Sequence, residues 1–186
     1  YKRFKNCKHI HEYSSLSTEP FPKIKDFLKS KLNVKPYIRI FNSKSIKDNL
    51  RFNDNTPYIF RDTGVDKSFF NAKNQKKKDF DIVYSGSMSH RKGLINCLIF
   101  FLEMGFSILV VGEFNNRFYK KLKNYKNIEF SGRVPLREVS NLYSKAIYGL
   151  NFTPDQYPYN IQNSTKTKEY CASGLKVISN YYSWVK

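Results

Sequence analysis

Asn163-Ser164-Thr165-Lys166-Thr167-Lys168-Glu169-Tyr170-Cys171-Ala172-Ser173-Gly174, followed by Leu175-Lys176-Val177-Ile178-Ser179, is the stretch on which the fold reading turns. It predicts a short helix with a polar opening, a glycine stop and a buried strand. A hydroxyl at Ser164 or Thr165 caps the helix by accepting from an amide one turn on. Thr165 and Glu169 stand four apart and so share a face. Gly174 ends the helix at no steric cost, and the Val-Ile pair is short and apolar, as in a parallel strand. Free amides, hydroxyls and Lys166 at a helix start form a place to hold phosphate. The same residues also describe an ordinary capped helix, and this segment alone does not choose.

Upstream, the pattern is regular. Strands are predicted over residues 81–85, 106–111, 127–131 and 146–152, and helices over 91–104, 115–123 and 135–144. In the first helix Leu94, Cys97, Leu98, Phe101 and Leu102 share the buried side. Gly86, Gly112 and Gly132 follow the first three strands. Strand, glycine and helix at this interval predict a parallel α/β sheet covered on both faces. In such sheets ligands bind outside the carboxyl ends of the strands. The loops at those ends carry Gly86, Arg91, Lys92, Arg133, Ser164, Thr165 and Lys166, with Glu169 facing the same side. Cations, helix amides and one carboxylate suit a nucleoside diphosphate: cations and amides hold the phosphates, and the carboxylate accepts from ribose hydroxyls. Gly86-Ser87-Met88-Ser89-His90-Arg91-Lys92 lacks the glycines of the dinucleotide fingerprint, so a nicotinamide dehydrogenase fits poorly.

The first third is less regular. Residues 37–41 and 58–61 are strand candidates. Residues 23–32 are a helix candidate with Ile24, Phe27, Leu28 and Leu32 on one face, and 44–51 a second, capped by Asn42 or Ser43. Residues 73–79 are polar and basic, as in a connector. His9, His11 and Glu12 lie close together, yet alternate histidines need further ligands to hold a metal, and no metal site is expected.

With 186 residues, 40% of them hydrophobic, the chain is long and apolar enough to bury a core. Its formal charge of +18 attracts anions in general: nucleic acid, anionic lipid, nucleotides or phosphorylated glycans. Three widely spaced cysteines suggest neither zinc nor a disulfide framework and fit a reducing cytoplasm, with Cys97 and Cys171 packed inside. No signal peptide or spanning run is visible in the sequence.

Four pieces, in order, resemble the donor-binding C-terminal lobe of the large retaining "group 1" glycosyltransferase family, which has the two-lobed GT-B architecture. Arg61-Asp62-Thr63-Gly64-Val65-Asp66 resembles the crossing between lobes, with Thr63 where asparagine is usual. Tyr84-Ser85-Gly86 through Lys92-Gly93-Leu94 resembles the first strand and loop of the second lobe. Asn127 to Val134 resembles its phenylalanine-x-glycine-x-valine strand. Glu169 to Ile178 resembles the glutamate-to-isoleucine segment that follows the donor loop. The match covers roughly 125 residues.

The resemblance implies a three-layer Rossmann-like lobe over residues 63–186, incomplete at its C-terminus, and a remnant of the acceptor lobe over 1–62, so that the chain is a fragment. It implies transfer of a sugar from a UDP- or GDP-linked donor to a hydroxyl, by an enzyme of hexosyltransferase type whose isolated fragment is inactive. A separate cofactor is not implied. By position, Lys92 and Arg91 stabilise the leaving diphosphate and are the catalytic candidates. Gly86 and the helix start at Ser164, Thr165 and Lys166 hold the sugar and phosphates, Glu169 holds the ribose, and Arg133 and Val134 lie beside the base. The implied acceptor is a saccharide or lipid-linked saccharide in cell-surface polysaccharide or glycolipid synthesis, in the cytoplasm or at the inner face of the membrane. Ser87 stands where the family often has arginine, Ile161 where many members have an acidic residue, and Lys176 where proline is usual. The competing readings are a glycogen-synthase-like or sucrose-type enzyme of the same fold, a catalytically silent nucleotide-binding lobe and a basic nucleic-acid-binding domain.

Overall fold

The structure, a computed structural model, describes residues 7–70, 78–88 and 91–185. The chain forms two units. One comprises the residues up to Gly64 together with Asp155–Asn163; the other comprises Val65–Pro154 and Ser164–Lys186. The basic stretch 73–79 lies mostly outside the described residues.

The first unit is built on a parallel three-stranded sheet: β1 (Ile10–Tyr13), β2 (Ile38–Phe41) and β3 (Tyr58–Phe60), in that order. Helices α1 (Pro22–Leu32) and α2 (Lys44–Leu50) connect them. Ser43 caps α2, its hydroxyl accepting from the Ile46 amide at 3.3 Å. Tyr13, Leu16, Phe41, Ile46 and Leu50 form the core, joined by Tyr157 and Ile161 from the late segment. That segment is tied in by polar contacts too. Gln162 Oε1 accepts from the Leu16 amide at 3.3 Å, and the Tyr157 hydroxyl donates to Asp26 at 3.1 Å. The predicted apolar face of α1 exists but is exposed at Ile24, Phe27, Leu28 and Leu32.

A buried cation braces the β2–β3 edge. Arg39 is 2% exposed. Its guanidinium forms a two-pronged pair with Asp54 and stacks on Phe52 at 4.0 Å. The hydrogen bond from Arg39 holds the Asp54 carboxyl far below the usual carboxylate range, outweighing the opposing effect of its desolvation. A depressed folded-state pKa contributes stability that is present above the unfolded value, near pH 4, and is lost as pH falls below it. Asp54→Asn is therefore expected to lower stability at pH 7 by about 3 kcal/mol, because it strands a buried arginine, and to flatten the acid limb of a thermal-melt series between pH 7 and 3. An unchanged acid limb would show that the pair contributes nothing.

The second unit is a five-stranded parallel sheet. Its strands are β4 (Phe80–Ser85), β5 (Ile108–Val111), β6 (Ile128–Gly132), β7 (Ala146–Asn151) and β8 (Lys176–Ser179), in the order β6-β5-β4-β7-β8. Numbered within the unit this is 3-2-1-4-5, the doubly wound order, with its switch point between β4 and β7. Alternation along the strands explains why both faces are apolar. Ile82, Tyr84, Ile108 and Val110 pack with α3 (Leu94–Glu103) and α4 (Asn116–Leu122). Val83, Leu109 and Val111 pack with α5 (Leu136–Tyr143) and α6 (Thr165–Ala172). This is the predicted three-layer Rossmann-like arrangement.

Two expectations are corrected. The strand after Gly174, read as buried, is the edge strand β8, with Lys176 exposed and its other residues half-buried. Cys171, read as packed, is exposed on α6, and Cys97 is only half-buried; burial still raises the Cys97 thiol pKa. Among the described residues, no helix is long and apolar enough to cross a membrane.

Candidate functional site

Three strands of the second unit end at glycines, and main-chain bonds stitch those ends together. The Gly86 amide donates to the Val111 carbonyl at 2.9 Å, and the Gly112 amide to the Gly132 carbonyl at 2.9 Å. Gly112 has φ 128°, and a Cβ there would stand 2.6 Å from the Gly86 carbonyl oxygen, so no larger residue fits. The Tyr84 hydroxyl donates to the Ser87 carbonyl at 3.1 Å and fixes the next loop. Burial pushes that hydroxyl's pKa up to about 12, so it stays a neutral donor.

These ends form the floor of an open cavity of about 470 Å³, lined by Ser85, Gly86, Ser87, Val111, Gly112, Glu113, Arg133, Val134, Leu136, Val139 and Lys166. It lies at the carboxyl ends of β4, β5 and β6, where α5 and α6 begin. A larger cavity, about 760 Å³, lies in the first unit beside Arg39, Lys47 and Tyr58, at the amino ends of β2 and β3. The site is assigned to the smaller one. It collects four of the predicted residues, Gly86, Arg133, Val134 and Lys166, and occupies the position where doubly wound sheets bind ligands.

Helix α6 supplies the charged wall. Ser164, not Thr165, is its cap: the Ser164 hydroxyl accepts from the Thr167 amide at 3.3 Å and donates to Asn151 Oδ1 at 2.8 Å. Thr165 is exposed. Lys166 Nζ lies 2.8 Å from Glu169 Oε2, with the lysine side chain 36% and the glutamate side chain 9% exposed. The same Oε2 accepts from the Tyr143 hydroxyl at 3.1 Å. Glu169 is thus a buried carboxylate with two protein donors. The sequence marks Glu169 only as a single carboxylate facing the strand-end loops and does not show these partners. Beneath it, Tyr170 is fully buried, and its hydroxyl accepts from the Ser85 amide at 2.9 Å, fixing the end of β4.

The structure therefore brings Gly86, Arg133, Val134 and Lys166 into one cavity wall, with Glu169 attached through Lys166. Arg133 is committed to an exposed ion pair with Glu113 at 3.1 Å, a contact of small energetic weight. Arg91 and Lys92 lie in the stretch between β4 and α3. Arg91 is half-buried, and its charge is felt at the Tyr84 hydroxyl. Lys92 is exposed, and neither residue lines the cavity. His90 lies outside the described residues. Sequence reasoning missed Tyr143, Tyr170 and Glu113. The two tyrosines count as apolar helix positions in a periodicity pattern, and only the fold shows where their hydroxyls go. Among the described residues, no group of three or more His, Cys, Asp and Glu side chains is placed to hold a metal; Glu12 instead pairs with Arg61 at 2.6 Å.

Comparison with solved structures shows where this fold recurs. The fold is that of GT-B glycosyltransferases. Sucrose-phosphate synthase from Thermosynechococcus elongatus matches with a TM-score of 0.70 at 17% identity, over 96% of this chain and 51% of that one. AviGT4, a glycosyltransferase involved in avilamycin A biosynthesis, matches with a TM-score of 0.62 at 16% identity, over 95% and 49%. HepE from Anabaena, in complex with UDP-glucose, matches with a TM-score of 0.67 at 14% identity, over 91% and 52%. The chain spans about half the length of these structures. No protein-family model matches it, and no curated protein matches it in sequence.

Proposed function

We propose that the chain supplies the donor-binding lobe of a glycosyltransferase, which transfers a sugar from a nucleotide-diphosphate sugar to a hydroxyl acceptor. The observation that carries this reading is the cavity at the carboxyl ends of β4–β6, floored by glycine backbone and walled by Lys166 at the start of α6. Close backbone approach, helix amides and a cation are what a diphosphate needs. The donor is a uridine nucleotide on this reading, since HepE in the same fold is described in complex with UDP and with UDP-glucose. Lys166 neutralises the diphosphate as the sugar–phosphate bond breaks, which is electrostatic stabilisation of a leaving group. Arg91 and Lys92 add charge from the loop after β4. Gly86 and the Ser164–Thr165 turn accommodate the phosphates and sugar, Arg133 and Val134 flank the base, and Glu169 takes the ribose. No metal is required where these cations do that work. The acceptor is a saccharide or lipid-linked saccharide of the cell surface, and the charge of +18 suits a site at the inner face of an anionic membrane.

Calorimetry of the chain against UDP, GDP and ADP tests the reading. One-to-one binding of UDP, with little loss when salt is raised, is the expected result. Lys166→Ala is expected to lower that affinity ten- to a hundredfold, as loss of a charge-assisted contact does. Lys92→Ala should lower it less, because that side chain stands outside the cavity lining. Absence of any one-to-one nucleotide binding would overturn the proposal. Binding of all polyanions alike, with a steep salt slope, would favour a nucleic-acid-binding domain.

A further inference from the structure

We propose that Tyr143 is a positioning residue for nucleotide binding, which sets the Glu169 carboxylate so that the pocket discriminates ribose from deoxyribose. The inference rests on the nucleotide-sugar reading of the second unit and deepens it. Tyr143 is the last residue of α5 and is fully buried. Its ring packs on Phe69 at 5.6 Å and on Tyr170 at 4.9 Å between centroids. Phenylalanine would satisfy that packing. The hydroxyl is the costly part, since a hydroxyl taken from water into an apolar cluster is unfavourable unless it is partnered. Its partner is Glu169 Oε2 at 3.1 Å. Burial, then the nearby Tyr170 and Glu169, drives the tyrosine's ionisation far above its ordinary range. It is therefore a permanent donor at working pH.

Lys166 Nζ reaches the same oxygen at 2.8 Å. Two donors thus converge on Oε2, while Oε1 accepts no hydrogen bond among the described residues. A lysine at the end of a flexible stem can move toward a phosphate when a nucleotide arrives. The tyrosine, wedged in the core, cannot. Once Lys166 turns to the diphosphate, Tyr143 alone keeps the carboxylate in register, and Oε1 is the atom left to accept from a ribose hydroxyl. A site built to bond a hydroxyl rejects the analogue that lacks it.

The test is calorimetry of the full chain with UDP and with 2′-deoxy-UDP, alongside thermal melts. The wild type is expected to prefer UDP. Tyr143→Phe should weaken UDP about tenfold, weaken 2′-deoxy-UDP less, and so narrow the preference. Glu169→Gln, of equal volume, should erase the preference and leave Tyr143→Phe without further effect in the double variant. A Tyr143→Phe protein that binds both nucleotides like the wild type, or loses both equally, overturns the proposal. So does a Glu169→Gln protein that keeps the preference, which decides the matter if Tyr143→Phe fails to fold. A wild type that binds both nucleotides equally overturns the ribose assignment, whereas one that binds neither overturns the nucleotide reading itself.

Discussion

Gly149→Ala is expected to destabilise the second unit by about 3 kcal/mol or more, one of the largest effects available to a single methyl group. Gly149 lies in β7, and a Cβ built there would stand 2.3 Å from the nearest ring atom of Tyr170, with two more within 2.7 Å. The ring has no room to retreat. Tyr170 is fully buried, packs against Tyr143, and holds the Ser85 amide through its hydroxyl. Either the helix is pushed off the sheet or the end of β4 loses its tether. Melting by circular dichroism checks the magnitude. Tyr170→Leu alone should also destabilise, by leaving a cavity, yet it should lessen the cost of the alanine when the two are combined. Simple additivity in that cycle would mean that the contact is not the cause.

Glu169→Ala is the second large change, and it acts on binding and stability together. It removes the acceptor shared by Tyr143 and Lys166. A buried hydroxyl left without a partner costs about 1–3 kcal/mol, so the melting temperature should fall. On the proposed reading UDP affinity should fall ten- to a hundredfold as well, the range for losing a charge-assisted hydrogen bond. Calorimetry on folded protein, well below the melting temperature, separates the two effects. Undiminished UDP binding would remove Glu169 from the site and leave it a purely structural carboxylate.

The second unit was largely legible in the sequence because its signals are local. Apolar runs that end in Gly86, Gly112 and Gly132 are strands meeting turns of positive φ, and the glycines are needed there for steric reasons any reader can apply. The cap at Ser164 and the stop at Gly174 are legible for the same reason. What escaped depends on contacts between distant residues. The Tyr143–Glu169 bond joins two helices 26 positions apart. The edge position of β8 follows from strand order, which a single strand's composition does not encode. The exposed face of α1 has a clean helical period, but periodicity shows only that residues share a face, and burial is a separate fact. The pairing of Arg39 with Asp54 was likewise unreadable, since nothing in a strand-like run of apolar residues marks one arginine as buried.

The excursion of Asp155–Asn163 into the first unit bears on how such a protein can be divided or recombined. The chain passes between the units three times, at Gly64–Val65, Pro154–Asp155 and Asn163–Ser164. The second unit grafted onto another protein through a single junction would carry this loop without its seat. Tyr157 and Ile161, which pack in the first unit's core, would be left in solvent immediately ahead of the helix that bears Lys166 and Glu169. Exchange of the second unit therefore requires either the loop and its seat together or a redesigned connection from β7 to α6.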